Sequence, residues 1–111
     1  MRSFVSLISY AMHVITRLAI RQYAAQNAQA AEALNLWFHI VDKAEWSDYN
    51  AIKEDFPSCD YITDNRYVFN IKGNHYRLLA MIFFPAQQVY IRGIFTHAQY
   101  SKLNKADISR L

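Results

Sequence analysis

The chain has one cysteine, two glycines and two prolines in 111 residues. With Cys59 alone, neither an intrachain disulfide framework nor a cysteine-based zinc site is possible. The composition suits a reducing cytoplasm. Cys59 precedes Asp60 and has no cationic partner nearby in sequence, so it is not expected to act as a nucleophile. Two glycines exclude a glycine-rich phosphate loop. No apolar run approaches the ~20 residues of a membrane-spanning helix, so no membrane partner is expected. His13, His39, His75 and His97 show no metal-ligand spacing, and neither metal nor cofactor is expected. The most informative gap is acidic. Between Asn65 and Lys105 there is no Asp or Glu, while Arg66, Lys72, Arg77, Arg92, Lys102 and Lys105 all fall there.

What is present describes a packed globule. Hydrophobic residues make up 53% and aromatics 15%, which excludes a disordered chain and supports one modest core. The formal charge of +3 is unevenly placed. Residues 1–59 carry five Lys/Arg against six Asp/Glu, and residues 60–111 carry seven against three. Such asymmetry points to a polyanionic partner, RNA first. Residues 1–11 are apolar with one Arg. They read as an N-terminal extension, either an over-extended start or a loose arm, because Met12 offers a second start before a strand. Residues 12–111 read as a single domain.

His13 to Ile15 suggests a short strand, with Thr16 placed to cap a helix running to about Gln26. A second helix is expected over residues 28–44, because Ala30, Leu34, Trp37, Val41 and Ala44 recur at helical spacing. His39 lies off that stripe. Ser47 is placed to cap a short third helix through Glu54, which Pro57 ends. Residues 58–65 are polar and read as a loop. Alternating strands follow over 66–72, 75–84 and 88–96, and Thr96-x-x-Gln99 reads as a capping box opening a short C-terminal helix. The sum is an α+β domain: a short N-terminal strand, then two to three helices packed on one face of an antiparallel sheet.

A two-residue turn at Gly73-Asn74 would pair Ile71 with Tyr76, Asn70 with Arg77 and Phe69 with Leu78. A tip at Ala86-Gln87 would pair Phe84 with Val89, Met81 with Arg92 and Arg77 with Thr96. Side chains then alternate between faces. Tyr67, Phe69, Ile71, Leu78, Ile82, Val89, Ile91 and Phe95 would meet the helices. Arg66, Val68, Asn70, Lys72, His75, Arg77, Leu79, Tyr90, Arg92 and Ile94 would lie on the other, open face.

Cations interleaved with aromatic groups bind phosphates and stack bases, and a solvated charged face is the alternative reading. The guanidinium of Arg77 suits a phosphate. His97 in the first turn of the last helix, with Tyr100 one turn on, adds proton-transfer groups beside it. The candidate catalytic residues are therefore Arg77, His97 and Tyr100, with His75 behind them. Arg66, Asn70, Lys72, Tyr90 and Arg92 are the candidate RNA-binding residues.

The run VFNIKGNHYRL from Val68 to Leu78, then VYIR from Val89, then THAQY from Thr96 to Tyr100, resembles the HigB toxins of bacterial type II toxin–antitoxin systems, within the RelE/ParE-like superfamily. The resemblance spans about residues 12–102. It implies a RelE-like fold and a toxin that cleaves mRNA on the translating ribosome without a metal, through attack by the RNA's own 2′-OH. It also implies a HigA-like helix-turn-helix antitoxin as partner. Gln99 stands where an acid is frequent in the family. Two other functions stay open: a ParE-like toxin that binds DNA gyrase without cutting nucleic acid, and a basic RNA-binding module.

Overall fold

The computed structural model describes residues 11–111. The expected N-terminal extension falls almost wholly on residues 1–10, outside the described residues. The elements are β1 (His13–Val14), α1 (Arg17–Gln26), a 3-10 turn (Ala28–Ala30), α2 (Ala31–Lys43) and α3 (Tyr49–Asp55). They continue with β2 (Asp60–Thr63), β3 (Arg66–Ile71), β4 (Tyr76–Phe83), β5 (Gln88–Thr96), α4 (His97–Tyr100) and α5 (Lys105–Ser109). The strands form one sheet in the order β1-β5-β4-β3-β2. β2 to β5 run antiparallel, and β1 joins β5 in parallel.

The apolar stripe of α2 seats the helices on the sheet. Ala30, Leu34, Trp37 and Val41 are almost fully buried, and Trp37 meets Phe69 edge-on at 5.4 Å between ring centroids. Tyr67, Phe69, Ile71, Leu78, Ala80, Ile82, Val89 and Ile91 complete this core from the sheet, on the expected face. Met12 is also sealed in it, and its N–H donates to the carbonyl of Ala44 at 2.8 Å.

Several local expectations are corrected. Asp48, not Ser47, caps α3: its carboxylate accepts from the Ala51 N–H at 2.9 Å. Thr16 does not cap α1, because its hydroxyl is already engaged. It accepts from the Ile91 N–H at 2.6 Å and donates to the Ile91 carbonyl at 3.3 Å, so it serves β5 just past β1. Residues 60–63, expected within a loop, form the edge strand β2. Asp60 and Tyr61 are exposed while Ile62 and Thr63 are half-buried, a pattern without alternation and with little hydrophobic signal.

The first hairpin keeps the expected pairs Ile71 with Tyr76, Asn70 with Arg77, and Phe69 with Leu78. Its loop is longer than two residues: Lys72 to His75 turn together, with Lys72 and Gly73 both at positive φ. The second hairpin differs more. Val89 pairs with Ile82 rather than Phe84, Met81 pairs with Tyr90, and Arg77 pairs with Phe95. Phe84 to Gln87 form the turn, and Gln87 donates its N–H to the Phe84 carbonyl at 3.0 Å.

Between the pairs Ala80–Ile91 and Leu79–Gly93, β5 carries one extra residue, Arg92. This is a β-bulge. Beyond it, Ile94 joins the helix-side core and Phe95 joins the opposite face, the reverse of the expectation. The Phe95 ring lies over Gly93, where a Cβ would stand 2.5 Å from it. Nor is that opposite face open throughout. Ile108 of α5, with Leu103 and Leu111, packs on Val68, Leu79, Phe95 and Tyr100 to make a small second core.

Candidate active site

The end of β5 is fixed by the capping box. The Thr96 hydroxyl accepts from the Gln99 N–H at 3.1 Å, and the Gln99 side chain accepts from the Thr96 N–H at 2.9 Å. One residue on, the His97 N–H donates to the His75 carbonyl at 3.0 Å. This bond ties α4 to the loop that joins β3 and β4. Both imidazoles are exposed at the same end of the sheet. The Nδ1 of His75 lies 2.9 Å from the Lys72 carbonyl. A carbonyl only accepts, so the bond requires the proton on Nδ1 and leaves the neutral ring's Nε2 as a proton acceptor.

Arg77 stands beside them on β4, half-buried. Its Nη2 donates to Asn74 Oδ1 at 2.7 Å, and its Nη1 donates to the carbonyls of Asn74 at 3.3 Å and Tyr76 at 3.2 Å. None of these partners is a carboxylate. The one ion pair among the described residues joins Arg110 to Asp107 at 3.0 Å. The charge of Arg77 is thus oriented without being neutralised, the state suited to an incoming phosphate.

Tyr100 reaches the site from α4. It is half-buried, packed on Phe95 at 6.4 Å between ring centroids. Burial raises its phenol above the usual range; the Arg77 guanidinium pulls the other way and Asp60 adds to the rise. A tyrosine needs a cationic neighbour to act as a base near neutral pH. The neighbour is present, but burial outweighs it. The phenol stays protonated at neutral pH and is an O–H donor.

His75, Arg77, His97 and Tyr100 therefore lie together, with Lys72 in the adjoining loop and Asn70 paired to Arg77. Arg66, Tyr90 and Arg92 do not join them. Arg66 pairs with Met81, four residues and roughly 13 Å along β4 from Arg77. Its guanidinium donates to the Asp64 carbonyl at 2.9 Å. The Tyr90 hydroxyl donates to the Gln88 side chain at 3.1 Å. Arg92 donates through Nε to the Leu111 carbonyl. Ile108 of α5 packs on Val68 and Leu79, between the two groups. Sequence reasoning missed Asn74 as the tether of Arg77. The signal was its place three residues before an arginine across a turn.

Cys59 is fully buried, and that burial, reinforced by Asp60 and opposed by Lys53, pushes its thiol up to about 12. It takes no part in the site. Among the described residues no three His, Cys, Asp or Glu cluster as metal ligands, and no helix is long and apolar enough to cross a membrane.

Comparison with known proteins bears on this geometry. Residues 30–103 match the model of the HigB toxin family, described as the RelE-like toxic component of a toxin–antitoxin system. A protein of Escherichia coli K12 named mRNA interferase toxin HigB is 36% identical over 91 residues, which is 80% of this chain and 88% of the relative. The mRNA interferase HigB of Shigella flexneri gives the same values. The mRNA interferase HigB of E. coli O6:H1 strain CFT073 is 26% identical over 96 residues, 85% of this chain and 93% of the relative. With the family match running from the start of α2 through the site loop to α4, and with a 36%-identical relative over most of its length, the chain belongs to the HigB family of RelE-like toxins.

Proposed function

We propose that this toxin is an mRNA interferase that cuts mRNA on the translating ribosome, in the cytoplasm, and is held in check by a HigA-like helix-turn-helix antitoxin. The observation that carries the reading is the convergence of His75, Arg77, His97 and Tyr100 at one sheet end, in a chain whose relatives are named mRNA interferases. Neither the gyrase-binding alternative nor a plain RNA-binding module accounts for proton-transfer groups gathered round an unneutralised arginine.

The chemistry follows from the side chains. His75 Nε2, or His97, takes the proton from the RNA 2′-OH, whose oxygen attacks the adjacent phosphorus. Arg77 stabilises the extra negative charge on the phosphorane oxygens. The 5′-oxygen leaves with a proton from Tyr100 or from the histidine that is not the base. The products are a 2′,3′-cyclic phosphate and a 5′-hydroxyl, so no water or metal is consumed. Lys72 and Asn70 hold the flanking backbone. Gln99 is committed to the capping box, so its part is structural.

The test is expression in a bacterial host with measurement of growth, translation and mRNA integrity. The expected result is growth arrest with cut mRNA, lost in Arg77→Ala and reduced roughly 10²–10⁴-fold when the general base or acid is removed. His75→Ala, His97→Ala and Tyr100→Phe identify those groups, with folding checked by antitoxin binding. Arrest with intact mRNA would reject the reading.

A further inference from the structure

A groove of about 390 Å³ lies between α1 and the end of β5, lined by Ala19, Gln22, Tyr23, Gln26, Asn27 and Ile94. It exists because β1 pairs with β5 only at Gln88 and Val89. Past Ile91, which Thr16 engages, no strand among the described residues covers the outer side of β5. The groove is on the helix side of the sheet, and nothing in the proposed chemistry uses it.

Its lining is polar without being charged. Asn27 spends its Nδ2 on the Tyr23 carbonyl at 3.0 Å, and among the described residues no donor reaches its Oδ1. Gln22 and Gln26 are exposed, and among the described residues neither side chain makes a hydrogen bond. An amide offers a donor pair and an acceptor side by side, the pattern that complements the edge of a nucleobase rather than a phosphate. α1 carries Arg17 and Arg21 and no acid, so a nucleic-acid backbone is not repelled there.

A line of rings leads from the candidate active site to this groove. The His75 and Tyr76 rings are 6.4 Å apart, and the Tyr76 and Tyr23 rings are 6.0 Å apart, nearly perpendicular. Tyr76 pairs with Thr96, and Ile94 on the groove floor precedes His97 by three residues, about 10 Å of strand. A base next to the cut phosphate therefore finds an aromatic surface and then free amides, in that order.

We infer that the groove between α1 and β5 is a nucleobase subsite: a base flanking the scissile phosphate packs against Tyr23, and Gln22, Gln26 and Asn27 read its edge. This rests on the mRNA interferase reading and adds where sequence preference is set. Single-stranded RNA is commonly recognised this way, by stacking and edge reading of an unpaired base.

The experiment maps cut sites of the purified toxin on defined mRNAs in a translation reaction. Wild type is compared with Gln22→Ala, Gln26→Ala, the Gln22→Ala/Gln26→Ala/Asn27→Ala triple variant and Gln26→Glu. The expected result is that cutting persists while the preference at one flanking position falls by at least about fivefold. Gln26→Glu keeps the side-chain shape but turns a donor into an acceptor, and should shift the preferred base rather than flatten the preference. Antitoxin binding checks that each variant is folded. An unchanged cut-site distribution in the folded triple variant and in Gln26→Glu overturns the subsite. If wild type itself leaves mRNA intact, the interferase reading fails and the subsite with it, an outcome distinct from intact cutting with unaltered preference.

Discussion

Asn74 holds Arg77 from two sides, through its side-chain oxygen at 2.7 Å and its own carbonyl at 3.3 Å. The guanidinium is thereby aimed before any substrate arrives. Asn74→Ala removes the shorter bond and should lower the cleavage rate roughly 10–100-fold, the scale of a misplaced catalytic group. The position is exposed, so stability should move by no more than about 0.5 kcal/mol. Single-turnover cleavage alongside thermal unfolding separates the two effects. A wild-type rate in the folded variant would mean that Arg77 does not need its tether.

Tyr100 gives a prediction in pH. Its phenol titrates above 10 in the folded protein, through burial, whereas an unfolded tyrosine titrates near 10. A raised folded value means that the folded state holds the proton more tightly. The associated stability is fully present below pH 10 and is lost as pH rises through the folded value. The phenolate absorbance lost in Tyr100→Phe should show a midpoint above 10. That variant should also lose less stability in the alkaline range. A midpoint below 10 would show that Arg77 outweighs burial.

The separation of cations predicts unequal effects on RNA binding. Lys72→Ala should weaken ribosome or RNA affinity and reduce the salt slope by about one, as expected for one lost phosphate contact. Arg92→Ala and Arg66→Ala should do less, because their guanidinium groups are held by the Leu111 and Asp64 carbonyls beyond α5. Affinity measured across a salt series distinguishes them. Equal losses at all three positions would restore a binding face running the length of the sheet.

Ile108 is the main anchor of α5 on Val68 and Leu79. Ile108→Ala should cost about 2–5 kcal/mol, read by denaturant unfolding. Because Tyr100 belongs to the same cluster, cleavage should also fall at temperatures where the variant is still folded.

Cys59 should be inert to thiol reagents in the native protein at pH 8 and should react once the chain is unfolded. Burial both blocks access and holds the thiol protonated. Rapid native labelling would show that the loop before β2 opens.

The parts of this molecule legible in its sequence are those where pattern and turn agree. The α2 stripe and the first hairpin follow from apolar spacing and from a glycine at the turn. The pairing of Asn70 with Arg77 comes with them, and so does the nearness of Arg77 to α4. The second hairpin was less legible, since Ile94 and Phe95 are both apolar and suit either face. Nothing in their types marks the extra residue at Arg92. β2 was hidden because an edge strand of Asp, Tyr, Ile and Thr, with one aliphatic residue, resembles a loop. The placement of α5 was hidden because three scattered apolar residues, Leu103, Ile108 and Leu111, carry no helical period over so short a stretch. That unseen helix is what divides the expected basic face in two.

Arg92 gives β5 an adjustable length. In a regular strand with one buried face, losing a residue exchanges inside for outside over everything that follows. Here the pairs on either side, Ala80 with Ile91 and Leu79 with Gly93, are already consecutive on β4. Deleting Arg92 would close the gap without turning Ile94, Phe95 or Thr96 round. A relative one residue shorter in this strand would keep the same inside and outside, and its alignment gap belongs at this position. The site at the far end of β5 is therefore insulated from a change in count that would scramble an ordinary strand.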